Sequence, residues 1–83
     1  MRFTVIWDVS ALNELARIWN NARDQQAVAD AADLIDQILR IRADKVGQDF
    51  GTFRMHTVAP LTVVFKVIVP DQAVRVLDVW RSA

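Results

Sequence analysis

Residues 51–80, GTFRMHTVAPLTVVFKVIVPDQAVRVLDVW, constrain the fold of this chain more than any other stretch. Three short apolar runs follow one another, separated only by turn-forming residues. The first, 52–58, alternates Phe53, Met55 and Thr57 on one face with Thr52, Arg54 and His56 on the other. Ala59-Pro60 reads as a turn. The second run sets Leu61, Val63, Phe65, Val67 and Val69 against Thr62, Val64, Lys66 and Ile68. Pro70-Asp71-Gln72 is the next turn, with Pro at a favoured position, and the third run is 73–81. Period-two alternation between tight turns predicts three consecutive antiparallel strands.

What precedes them is helical apart from one strand. Residues 2–8 alternate, with Phe3, Val5 and Trp7 on one face. Ser10 is the expected N-cap of a first helix, whose apolar positions are Ala11, Leu12, Leu15, Ala16, Ile18 and Trp19. Asn20 and Asn21 suit its end. A second, amphipathic helix begins near Asp24 and carries Val28, Ala31, Ala32, Ile35 and Ile38 or Leu39 inward. Gly47 and Gly51 bracket a loop. The expected fold is α+β, one domain over 1–83: an N-terminal strand, a two-helix hairpin, then a three-stranded antiparallel meander with both helices on one face. That leaves a second sheet face, expected to display Arg54, His56 and Lys66.

Composition narrows the chemistry. With no cysteine and a single histidine, no disulfide and no thiolate or histidine-rich zinc site is expected. No apolar run approaches the ~20 residues of a membrane helix, and the first residues do not read as a secretion signal. A cytoplasmic protein without cofactor, metal or membrane contact is the expectation. Formal net charge is zero, but unevenly distributed: residues 1–36 hold three basic against six acidic residues, and 37–83 hold seven against four. A basic half of this kind suits contact with nucleic acid, though weakly. A chain of this length buries only about 60–65% of its unfolded surface, so a partner covering apolar surface would add to its stability.

Arg54 and His56 are the sharpest pair. Two apart on a strand, they point the same way. An imidazole moves protons near neutral pH and a guanidinium clamps a phosphate, which together suit metal-independent attack of a ribose 2′-hydroxyl on its own phosphate. Lys66 and Arg81 extend that patch as RNA-backbone contacts. The plain alternative is a solvated polar sheet face. Trp7 and Trp19 fit core stripes. Asp30, Asp33 and Asp36 read as a solvated helix face rather than a metal cluster.

The opening strand, VSALNELARIW, AADLIDQIL and above all the 51–80 segment resemble the RelE/ParE superfamily of toxins from type II toxin–antitoxin pairs. The resemblance spans nearly the whole chain. It implies two helices on one face of a mostly antiparallel sheet, a cognate antitoxin as partner, and ribosome-bound mRNA as the target of a translation-arresting endonuclease. Arg54 and His56 would be its catalytic residues, with Lys66 and Arg81 as its RNA contacts. The sequence departs from the family's nuclease pattern on the strand after Pro60, where Thr62 stands in place of an arginine and Phe65 in place of a tyrosine. The chain has no tyrosine at all. Two other readings follow from those departures: inhibition of DNA gyrase by binding, or a non-toxic module that still docks an antitoxin-like partner.

Overall fold

The computed structural model describes residues 2–82. Its elements run β1 (Thr4–Trp7), α1 (Val9–Asn21), α2 (Gln25–Arg42), β2 (Gln48–Asp49), β3 (Arg54–Val58), β4 (Leu61–Ile68) and β5 (Ala73–Arg81), with a 3-10 turn at Val69–Asp71. The strands form one sheet in the order β1-β5-β4-β3-β2. The meander β3-β4-β5 is antiparallel throughout, and β1 joins its far edge parallel to β5. Both helices contribute to one core with the sheet.

Helix α2 carries that core. Val28, Ala31, Ile35 and Leu39 fall at helical spacing and are buried. They meet Leu61, Val63 and Phe65 of β4 and Val74, Val76 and Val79 of β5, none more than 1% exposed. Each fully buried aliphatic or aromatic side chain contributes about 1.5–3 kcal/mol by leaving water. The spacing of the β5 residues breaks strict alternation between Val76 and Val79. The ladder explains it: Phe65 pairs with Val76 but Val64 with Asp78, leaving Leu77 as an extra residue. This bulge keeps both ends of β5 facing the helices and turns Asp78 outward.

Three details depart from the sequence expectation. Helix α1 starts at Val9, with Asp8 rather than Ser10 at the cap. The Asp8 carboxylate makes no cap hydrogen bond, because the Arg75 guanidinium holds it at 2.9–3.1 Å. The segment between Gly47 and Gly51 is not all loop: Gln48 and Asp49 pair with Met55 and Arg54 as β2. Gly47 is required there. Its φ is +74°, and a Cβ would overlap the Met55 carbonyl oxygen. Finally, Val69 leaves the strand for the 3-10 turn and is 59% exposed, so it does not extend the core stripe of β4.

Candidate functional site

Residues opposed across an antiparallel ladder share a face of the sheet. Arg54 opposes Phe65, His56 opposes Val63, and Val58 opposes Leu61. Those three partners are completely buried in the core. Arg54 and His56 therefore point to the helix side of the sheet, not to the open face. Met55 and Thr57, opposed to Val64 and Thr62, take the open face instead. The expectation that Arg54, His56 and Lys66 share one exposed face is thus corrected: only Lys66 lies on it.

Polar side chains are tolerated on the helix side because β3 lies near the sheet edge and each finds a role there. The Arg54 side chain is 18% exposed. Its Nε donates to the Val46 carbonyl at 3.0 Å, and Nη1 lies 3.3 Å from Asp49 Oδ2. The guanidinium thus fastens the end of the α2–β2 connection to the sheet. His56 is half-buried beside it, and burial pulls its pKa below the usual imidazole value. A neutral imidazole at pH 7 is able to accept a proton.

The two expected RNA contacts lie elsewhere. Lys66 is exposed on the open face, opposite Arg75, whose own charge is taken up by Asp8. Arg81 closes β5 and makes a two-pronged ion pair with Asp24 at the start of α2, at 2.8 and 2.7 Å. Strand rise and spacing put Arg81 on the order of 15 Å from Arg54. A cleft of about 560 Å³ lies beside Arg81, and Arg17 and Arg23 line it too. Glu14, paired with Arg17, and Asp24 offset much of that positive charge. Arg54, His56, Lys66 and Arg81 thus form no single site.

Thr62, where an arginine was expected by analogy, is 4% exposed. Its hydroxyl donates to Ser82 Oγ and accepts from Thr57 Oγ1, both at 2.8 Å. This hydroxyl chain is internally satisfied and ties β3, β4 and the end of β5 together.

A different surface is open. Between α1 and α2 runs an apolar groove of about 300 Å³, with Leu12, Leu15 and Trp19 on one wall and Val28, Ala32 and Asp33 on the other. Trp19 is 42% exposed and Leu12 48%, so Trp19 is not the core residue the helical spacing suggested. The signal lay in the width of the α1 pattern. Ala11, Leu15 and Ile18 form one stripe, and Leu12, Ala16 and Trp19 a second about 100° around the helix. A helix that packs on one sheet needs only the first.

Among the described residues no helix is long and apolar enough to cross a membrane. By sequence, the chain matches no family model and no curated protein. By structure it is similar to several solved proteins. One is a chain of the toxin–antitoxin complex RelBE2 from Mycobacterium tuberculosis, with a TM-score of 0.82 at 12% identity, covering 100% of this chain and 95% of that one. Another belongs to the chromosomal ParDE toxin–antitoxin system of P. aeruginosa, with a TM-score of 0.71 at 17% identity over 99% and 98%. The isolated E. coli RelE toxin superposes with a TM-score of 0.63 at 19% identity over 98% and 85%. Element order, sheet topology and these superpositions agree: the chain has the α+β fold of the RelE/ParE toxins.

Proposed function

We propose that this chain is the toxin half of a toxin–antitoxin pair, acting on its target by binding, and that its antitoxin docks in the α1–α2 groove. The observation that carries this reading is the groove itself, an apolar cleft with Leu12 and Trp19 exposed in a domain too small to leave such surface idle. Solved structures of the same fold include toxin–antitoxin complexes. A binding mode is favoured over cleavage because Arg54, His56, Lys66 and Arg81 do not converge. DNA gyrase is the target class this reading favours.

A second reading, a ribosome-dependent mRNA endonuclease, keeps one observation in its favour. Arg54 and His56 do share a face, and His56 is held neutral, as a general base must be. In that reading Arg54 would bind the scissile phosphate after leaving Asp49, and Lys66 and Arg81 would contact RNA outside the catalytic centre.

One experiment separates the two. The chain is expressed from an inducible promoter, with and without the product of the neighbouring reading frame. Growth, plasmid supercoiling and mRNA integrity by primer extension are followed. The expected result is growth arrest relieved by the neighbour, altered supercoiling and intact mRNA. Cuts within translated codons that vanish in His56→Ala would establish the endonuclease instead. Normal growth with folded protein present would remove the toxin reading altogether.

A further inference from the structure

The outer stripe of α1 has a regularity that a mere gap in the surface would not need. Val9, Leu12, Ala16 and Trp19 are spaced three, four and three residues apart, the a/d spacing of a helix–helix seam. Val9 is 73% exposed, Leu12 48% and Trp19 42%. This seam borders the α1–α2 groove, so an occupant with matching periodicity is itself a helix.

The charge around the groove then selects which helix. Asp33 lines it, and among the described residues its carboxylate forms no ion pair. Asp30, one turn earlier on α2, is exposed and accepts a hydrogen bond from the neutral Gln26 amide. Among the described residues no lysine or arginine lines the groove. Arg17 faces the separate cleft beside Arg81, where Glu14 holds it. An apolar slot with one acidic rim and no basic one repels an acidic segment and attracts a basic one.

We propose that the segment filling this groove is an amphipathic helix of the partner protein, with leucine-like residues on the α1 seam and lysine or arginine toward Asp33 and Asp30. The proposal rests on the reading that the partner docks here. It adds that the partner is recognised at this surface by its basic residues, not by acidic ones drawn to the toxin's cations.

Two synthetic helical peptides test it, identical in their a/d leucines but carrying lysine or glutamate at the flanking positions. Each is titrated into the full ¹⁵N-labelled chain. The lysine peptide is expected to shift Leu12, Ala16, Trp19 and Ala32, and to bind about fivefold tighter than the glutamate peptide at low salt. The difference should shrink as salt is raised. Asp33→Lys, at an exposed position, should reverse the order. Equal affinity, or a preference for glutamate, overturns the charge assignment while leaving the groove as a docking site. No shift at groove residues with either peptide overturns the seam as well. Growth arrest relieved by the neighbouring gene product, read separately, would leave the toxin assignment standing in either case.

Discussion

Arg54 stands directly across the ladder from Phe65, a residue with no exposed surface, so its guanidinium lies on the helix side of the sheet. There it bonds the Val46 carbonyl and faces Asp49. That makes Arg54 structural before it is anything else. Arg54→Ala is expected to destabilise the fold by roughly 1–3 kcal/mol, the range for losing a largely buried charged hydrogen bond. Urea denaturation measures it. Lost toxicity in this variant would therefore say nothing about phosphate binding until its stability was matched, for instance by comparing Arg54→Lys. An unchanged unfolding midpoint would mean that the Val46 and Asp49 contacts hold nothing in place.

The backbone approach at Gly47 supports the same corner. Its φ is +74°, and any side chain would meet the Met55 carbonyl. Gly47→Ala is expected to cost about 2 kcal/mol or more, because backbone must move as well as strain be absorbed. Gly51 is also at positive φ, +94°, but a Cβ there would find nothing within 4 Å. Gly51→Ala should cost only the conformational strain, about 1 kcal/mol. Parallel denaturation curves decide this, and equal losses would contradict the described approach of Gly47 to β3.

These corners also show what sequence reveals and what it hides. The meander was legible because β4 is a long apolar run bounded by Pro60 and Pro70, and β5 follows it as a second long run after a short turn. Helix α2 was legible from Val28, Ala31, Ile35 and Leu39. The orientation of β3 was not. Alternation divides 54–58 into two faces, but Met55 with Thr57 looks no less like a core face than Arg54 with His56. Only register with β4 assigns them, and register depends on how the Ala59-Pro60 turn closes. β2 was hidden because two residues carry no period. The groove was hidden because the Leu12 stripe and the Ala11 stripe merge into one apolar pattern when read along the chain. The consequence for the candidate site is direct: Arg54 and His56 share a sheet face, as alternation predicts, and Lys66 lies on the other.

The hydroxyl chain at Thr62 yields a prediction on the open face. Thr62→Val keeps the volume but leaves Thr57 and Ser82 without their shared partner. A loss of about 1 kcal/mol is expected, the net worth of a hydrogen bond in a part-buried setting. Thr57→Val combined with Thr62→Val should cost less than the two single losses added, since both remove the same bond. Full additivity in denaturation measurements would mean that the two hydroxyls do not interact.

Arg81 and Asp24 join the end of β5 to the start of α2, and the hydrogen bond from Arg81 holds the Asp24 carboxyl below its ordinary value. A carboxyl whose folded pKa is depressed stabilises above its unfolded value, here 3.8, and loses that contribution as pH falls through the folded value. Both side chains are exposed, so the effect is small and weakened by salt. Asp24→Asn should lower Tm slightly at pH 6, whereas at pH 2 its Tm should approach that of the wild type. A gap of the same size at both pH values would assign the loss to the side chain's packing instead of its charge.

His56 shifts in the direction that burial dictates for a base: the charged form is disfavoured, and its pKa falls below 6.5. Between the folded and unfolded values the unfolded chain binds more protons. Stability from this group is therefore complete above about pH 6.5 and declines as pH drops through the folded value. Two measurements follow. The His56 ring protons should titrate in NMR with a midpoint below the unperturbed 6.5. The acid-side decline in Tm between about pH 7 and 5 should flatten in His56→Gln, because no other side chain ordinarily titrates in that window. A midpoint above 6.5 would place a negative charge near the ring. It would also take from the endonuclease reading the neutral base on which it depends.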